Sequence, residues 1–402
     1  MPSNLTIPPK QTGRPRIAIL ADMPRNALGG LSNGRGAGHA ATWLPQLADA
    51  FAHAVDLEFI WLTLDPAANE VECIQQSGQW FIRVPASKMT FDILTGHRIS
   101  GTRLARLIRA LDPDLVHAWG TERSYPSVLK LRHIPSILSM QGILSEYQRR
   151  GTLPSGWRWR LQAGYEKAWV SAAKVVTTES EWGKEQILKF CPNADVRLVE
   201  YGVHPSFYDV KWNPDPKKPI AFFCGSIDSR KGVDLLAEAM QMPGAQAWEC
   251  WLAGAGPMTE ELEALNLPNL KLLGNINWTQ MREFLAQAWC LVLPTRADTS
   301  PNAVKEARVV GLPVITSKHG GQAGYILDGC NGFIIDPLDA RPLRNALDTL
   351  LGDFDLALHM GHTRLEEDRN YLHSSRTASG FLEIYRAMVP PLESIKAIRR
   401  SS

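Results

Sequence analysis

Two acids, Asp298 and Glu306, flank a stretch that supplies hydroxyls, an amide and a proline: Thr299, Ser300, Pro301, Asn302 and Ala303. An apolar run over 290–294 precedes it. That order predicts a strand ending near Pro294, a short loop carrying Asp298, and a helix with Ser300 as its cap and Pro301 in its first position. Gly311 and then Pro313 stop that helix. A helix start leaves amides free, here near Asn302 and Ala303, and places the positive end of the helix dipole beside them; both attract a phosphate. Asn302 and Glu306 are four positions apart and share one face. Phosphates at the helix start, with hydroxyls on a carboxylate one turn deeper, would hold a nucleoside diphosphate. One acid alone is more often a solvated helix carboxylate, so the inference rests on the combination.

A second segment runs Phe222-Phe223-Cys224-Gly225-Ser226-Ile227-Asp228-Ser229-Arg230-Lys231-Gly232. It predicts a strand, a glycine turn and two adjacent cations opening a helix. Fixed cations stabilise charge that develops on a departing diphosphate. Near the N-terminus, Gly29-Gly30-Leu31 follows the first strand, and glycines there allow backbone to approach a ligand closely. Asp114-Leu115-Val116-His117-Ala118-Trp119-Gly120-Thr121-Glu122 ends another strand in polar residues, and Gln141-Gly142 ends its neighbour.

These segments need strands that end together. Short β-rich runs alternate with helical stretches along the whole chain, which signals α/β architecture with parallel sheets. Strands are expected at 16–21, 57–64, 80–84, 115–119, 136–140, 175–178 and 196–200. A polar, proline-rich stretch over 210–219 reads as an exposed linker. After it come strands at 220–224, 247–253, 270–273, 290–294, 313–316 and 333–335. The domains expected are 1–209, then 220–374, with a last helix over 375–402 carrying Phe381, Leu382, Ile384, Tyr385 and Met388 at helical spacing. In open parallel sheets ligands bind beyond the carboxyl ends of the strands, so two facing sheets make a cleft for a donor and an acceptor.

The composition agrees with two cores: 402 residues, 45% of them hydrophobic. The net charge of +2 gives no field that argues for nucleic acid. Six scattered cysteines without metal-type spacing read as buried, reduced thiols and favour a reducing compartment. No signal peptide and no apolar run of membrane-spanning length is recognised, so a cytoplasmic protein is expected. No Asp-x-Asp-like cluster in a suitable setting suggests a metal. The stretch 147–169 mixes cations and aromatics, among them Arg149, Arg150, Trp157, Arg158, Trp159 and Arg160. It is either a surface helix whose tryptophans reach the core or a peripheral membrane contact.

From Ile220 to Pro337 above all, the chain resembles the family 4 (group 1) retaining glycosyltransferases of the GT-B fold. Asp298 and Glu306 have the spacing of that family's paired acids, and Ser300-Pro301-Asn302-Ala303-Val304 through Gly311-Leu312-Pro313 looks like its signature. The resemblance implies two Rossmann-like domains and retention of anomeric configuration, with a nucleotide-diphosphate sugar as donor and neither cofactor nor metal. It implies that Glu306 binds the ribose and that Asp298, an Asp where the family has Glu, approaches the transferred sugar. Lys231-Gly232 matches a family Lys-Gly pair. Ser226 stands where an Arg is frequent, so Arg230 is taken to supply that charge. Gly30 and Leu31 would near the donor phosphate, and His117 would contact the donor sugar or leaving group. Thr299, Ser300, Pro301, Asn302 and Ala303 complete the donor site, while Glu122 and Gln141 face the acceptor. The expected activity is transfer of a hexose-type sugar to a glycan or lipid-linked acceptor in cell-surface polysaccharide synthesis. A sugar-nucleotide epimerase, a phosphorylase and an inactive nucleotide-sugar binding protein are the alternatives.

Overall fold

The computed structural model describes residues 8–11, 13–24, 43–154, 156–244 and 247–389. Gly30 and Leu31 lie outside them. The first half contains β1 (Arg16–Leu20), α1 (Trp43–Phe51), β2 (Glu58–Asp65), β3 (Glu72–Gln76), β4 (Gln79–Pro85), α2 (Met89–Leu94) and α3 (Arg98–Leu111). It continues with β5 (Leu115–Trp119), β6 (Ser136–Ser139), α4 (Leu144–Arg149), α5 (Trp157–Ala172), β7 (Val175–Thr178), α6 (Glu181–Phe190) and β8 (Val196–Leu198). These strands form one sheet in the order β3-β4-β2-β1-β5-β6-β7-β8. Only β3 runs antiparallel, paired to β4.

The short apolar runs become strands because both faces of the sheet are covered. On β1, Ile17 and Ile19 enter one core with Phe51 and Trp61. Ala18 and Leu20 enter the opposite core with Leu104 and Ile108 of α3. The sequence reading had missed β3, whose Glu-Cys-Ile-Gln-Gln lies at the sheet's edge with no fully buried residue. Its signal is the Ser77-Gly78 turn, both residues at positive φ (48° and 76°), the geometry of a two-residue hairpin.

The second half contains β9 (Ile220–Cys224), α7 (Val233–Gln241), β10 (Glu249–Ala253), α8 (Thr259–Ala264), β11 (Leu270–Gly274), α9 (Trp278–Gln287), β12 (Cys290–Leu293) and α10 (Asn302–Val310). Then come β13 (Val314–Ser317), β14 (Gly332–Ile335), α11 (Ala340–Gly352), α12 (Phe354–His362), α13 (Leu365–Tyr371) and α14 (Ser374–Met388). Its sheet, β11-β10-β9-β12-β13-β14, is parallel throughout. The strand order reverses between β9 and β12, and in the first sheet between β1 and β5. Each reversal opens a crevice beyond the strand ends.

The stretch 210–219 is exposed at Lys211, Asn213 and 215–218 but is held at two points. Trp212 Nε1 donates to Ala288 O (2.7 Å) and Trp289 Nε1 to Asp215 O (2.9 Å), which clamps the segment to the second domain. The last helix, α14, returns to the first domain, where Phe381 and Tyr385 are fully buried beside Ile17, Phe59 and Trp61. Its start crosses the chain at Gly202. A Cβ there would lie 2.4 Å from Ser374 Cα, so only glycine allows the crossing.

Candidate functional site

The loops after β9 and β12 are stitched together at the second sheet's crevice. Arg296 N and Thr295 Oγ1 both donate to Arg230 O (2.7 and 3.0 Å). Asp228 accepts from Lys231 N (2.9 Å) and shapes the turn. Gly232 follows at φ 79°, and a Cβ on it would stand 2.2 Å from Pro294 O, which explains the glycine after the lysine. The result is an ion cluster at the cleft. Lys231 Nζ donates to Asp298 Oδ2, and Arg230 Nη1 lies 3.5 Å from the same oxygen. Burial by itself would raise the Asp298 carboxyl, but the Lys231 and Arg230 charges outweigh it and hold the group below its usual range.

α10 begins at Asn302, with Pro301 as its boundary residue and no side-chain cap. The expectation that Ser300 caps the helix and Pro301 opens it is corrected. The Ser300 hydroxyl is instead taken by Glu200 (3.2 Å to Oε1) and by Tyr325. Thr299 is buried at the domain boundary, where its carbonyl accepts from Ser180 Oγ of the first domain (2.7 Å). Asn302 and Glu306 share one recess, lined also by Trp43, His204 and Trp278. Burial pushes the Glu306 carboxyl up to about 7, with Lys305 opposing.

The facing wall comes from the first domain. Asp22 after β1, Trp119 and Glu122 at β5, and Gln141 after β6 meet Arg230, Lys231 and Asp298 around a cavity of about 420 Å³. The Glu122 carboxyl lies close to Gly120 and Gly142, and burial pushes it up to about 7, reinforced by the charges of Glu166 and Asp22. Beneath it Glu166 is fully buried and accepts from Thr121 Oγ1, Leu144 N and Ser145 N, each at 2.9 Å. It therefore fixes the loop after β5 to the start of α4. Tyr147 of α4 spans the cleft, with the Arg230 guanidinium 5.4 Å from its ring centroid.

His117 does not reach this cavity. It is wholly buried, with Nδ1 on the Tyr385 hydroxyl and Nε2 on Ser139 Oγ, both at 2.7 Å. Burial lowers it to about 3, so the ring is neutral and both nitrogens are occupied. The reason is position along β5: residues two apart share a face, and Trp119, stacked on His117 at 4.3 Å, ends the strand and takes the place at the cleft. The expected donor contact of His117 is replaced by a strut between β5 and α14.

Sequence reasoning also missed Lys305. Its side chain is 1% exposed and its Nζ reaches Glu179 Oε2 (2.9 Å), Glu200 Oε1 (3.0 Å) and Tyr201 O (2.8 Å), all from the first domain's end. A lysine between Val304 and Glu306 carries no local signal of partners a hundred residues away. Among the described residues no group of three or more His, Cys, Asp or Glu is arranged to hold a metal ion. No helix among them is long and apolar enough to cross a membrane.

Two family profiles match the chain: "Glycosyltransferase Family 4" over residues 40–207 and "Glycosyl transferases group 1" over residues 218–353. The sulfoquinovosyl transferase of Arabidopsis thaliana is 25% identical over 316 residues, covering 71% of this chain and 59% of that protein. A GDP-mannose-dependent alpha-mannosyltransferase of Corynebacterium glutamicum is 22% identical and covers 70% of each. The fold is shared with sucrose-phosphate synthase of Thermosynechococcus elongatus (TM-score 0.74, 21% identity, 93% of this chain and 99% of that one). It is shared also with Anabaena HepE, solved with UDP and glucose (TM-score 0.66, 15% identity, 93% and 100%).

Proposed function

The chain belongs to the family 4, group 1 glycosyltransferases and has their GT-B fold, and on that premise we propose that it transfers a hexose-type sugar, with retention, from a nucleotide-diphosphate sugar to a glycan or lipid-linked acceptor. One observation carries the reading. Arg230 and Lys231 face a wall of tryptophan, carboxylate and amide across one cavity, and Asn302 and Glu306 at the start of α10 line an adjoining recess that shares Trp43 with it. The diphosphate would lie against Lys231, Arg230 and the free amides near Asn302 and Ala303, without a metal ion. The ribose hydroxyls would bind Glu306, and the sugar would project toward Asp298.

The acceptor hydroxyl enters between Glu122 and Gln141 and attacks the anomeric carbon on the face the diphosphate leaves. Its oxygen bonds to that carbon as the carbon–phosphate oxygen bond breaks, and its proton passes to the departing phosphate. Lys231 and Arg230 lower the barrier because the charge they meet is larger in the transition state than in the bound donor. We place this reaction in cell-surface polysaccharide synthesis, at the inner face of a membrane.

The test is incubation with UDP-, GDP- and ADP-sugars and a panel of saccharide and lipid-linked acceptors, reading nucleotide release and the anomeric configuration of the product by NMR. An α-linked product from an α-linked donor, lost in Lys231→Ala and Glu306→Ala, supports the proposal. Donor turnover unchanged in both variants, or an epimerised sugar nucleotide as the product, refutes it.

A further inference from the structure

The acceptor-side domain carries an apolar patch that the proposed chemistry does not use. Phe91 and Leu94 of α2 are 56% and 59% exposed, Trp157 and Leu161 of α5 are 50% and 43% exposed, and Ile99 opens α3 at 36%. The helices touch: Arg158 Nη1 donates to Thr90 Oγ1 (3.4 Å), and Tyr165 OH donates to Ile93 O (3.0 Å). Trp157, Leu161 and Tyr165 are four apart and form one stripe whose far end is anchored on α2. These five side chains put roughly 400 Å² of apolar surface into water, the size of the largest patch on a typical monomer, which is often functional. Half of the ten large hydrophobic residues exposed among the described residues fall here, and the other five do not adjoin them in sequence.

The surrounding charge is of one sign. Over 88–111 and 149–172 the only carboxylates are Asp92 and Glu166, at 4% and 0% exposure. Both are spent internally, Asp92 on Ser100 and Ser124, Glu166 on Thr121 and Ser145. The exposed charges of the two stretches are all cations: Lys88, Arg98, Arg103, Arg106, Arg109, Arg149, Arg158, Arg160 and Lys167. A partner must therefore accept aromatic and aliphatic side chains and bring negative charge, which is the chemistry of an anionic lipid surface.

The patch also lies beside the cleft. Successive tryptophans on the first turn of α5 point apart: Trp159 and the preceding Pro154 line the cavity, while Trp157 faces out. Of the cation-aromatic stretch 147–169, Tyr147 and Trp159 thus serve the cleft and Trp169 the core. Only Trp157 and Leu161 join the outer face, and its other apolar residues come from α2 and α3.

We propose that the face formed by α2, the start of α3 and the start of α5 docks on an anionic lipid bilayer, holding the cleft mouth at the surface so that an acceptor carried in that bilayer reaches the Glu122 wall without leaving it. The lipid-borne acceptor rests on the glycosyltransferase reading; the docking does not.

The experiment is co-sedimentation of the full chain with phosphatidylcholine vesicles, with and without phosphatidylglycerol, at low and high salt. Thermal shift with UDP, GDP and ADP is run in parallel on every variant. The parent is expected to bind the anionic vesicles in a salt-sensitive way and to leave neutral vesicles largely unbound. The double change Phe91→Ser with Trp157→Ser should lower binding by about tenfold, and Arg98→Glu with Arg158→Glu should remove the dependence on lipid charge. Both variants should keep the parent's nucleotide shift, which reports an intact fold and donor site. No parental binding to anionic vesicles overturns the proposal, as does binding that both variants retain. Self-association of the parent, abolished by Phe91→Ser with Trp157→Ser while vesicle binding is unchanged, assigns the face to a second copy and also overturns it. A missing nucleotide shift with normal docking would count against the enzyme reading alone.

Discussion

Replacing Lys305 with Met tests how the two domains are held. The lysine's ammonium sits between Glu179, 6% exposed, and Glu200, 10% exposed, and also donates to Tyr201 O. Methionine keeps most of the side-chain volume, so the packing loss is small and the electrostatic loss dominates. Breaking a buried ion pair while leaving its carboxylates behind costs about 3–5 kcal/mol. For domains of this size each kcal/mol moves the melting point by about 2–4 °C, so a fall on the order of 10 °C is expected. The pH dependence supplies the sign. Burial and the Glu200 charge already push the Glu179 carboxyl up, with Lys305 opposing them. Removing the lysine raises it further. A folded-state carboxyl above its unfolded value means that the native state binds more protons, so stability falls as pH rises through the window between the two values. Because burial already holds the parent's Glu179 up to about 8, the further rise acts above that value, so the Lys305→Met deficit should be nearly constant from about pH 5 to about 7 and grow as pH rises past about 8. Thermal unfolding followed by circular dichroism across that range reads it, and Glu179→Gln in the same background should recover part of the loss. A Lys305→Met melting point within about 2 °C of the parent from about pH 5 to about pH 9, with no widening above about 8, would refute the reasoning.

Lys231→Ala should lower the transfer rate by about a hundredfold to a thousandfold, and Lys231→Arg by less, measured as nucleotide release at saturating donor. In the proposed site Glu306 would accept ribose hydroxyls best when ionised, so nucleotide affinity should rise with pH through about 7 in the parent and stay flat in Glu306→Gln, read by calorimetric titration. Asp298→Asn should tighten nucleoside-diphosphate binding several-fold while lowering transfer; weaker nucleotide binding in that variant would argue against competition for the cations. Excess EDTA should leave turnover unchanged, and a loss restored by magnesium would overturn the metal-free reading.

Much of the fold was legible because parallel strands buried on both faces are written as apolar runs. Ile220–Cys224 and Val175–Thr178 were located to the residue. The polar edge strand Glu72–Gln76 lacked that signature and was missed. The positions of Lys231 and Asp298 on strand-end loops and of Glu306 on α10 were legible because they sit on short segments whose glycines, prolines and strand ends fix their direction. What failed was whatever depends on distant chain. Ser300 has the sequence of a helix cap, but Glu200 competes for its hydroxyl across the domain boundary. His117 stands at a strand end in sequence, yet Tyr385 of the last helix closes over it. Lys305 is readable only once Glu179 and Glu200 are folded against it.

The pairing of Asp298 with Lys231 bears on the order of events in the proposed reaction. Without donor, the cations assigned to the diphosphate in that proposal are partly neutralised by Asp298, the carboxylate it assigns to the sugar. A diphosphate bound as proposed would bring more negative charge than one carboxylate and would also engage the amides at the start of α10, so it would displace Asp298 from Lys231. The carboxylate then stays buried with weaker compensation, and its lone pairs are best satisfied by hydroxyls of the sugar that arrives with the diphosphate. Donor binding and the release of Asp298 would thus be one exchange of partners. The shorter acid fits this scheme, since in the donor-free cleft it already reaches the lysine. Nucleotide alone would free Asp298 and leave it unsatisfied, so the full donor gains a favourable contact that a bare nucleoside diphosphate lacks.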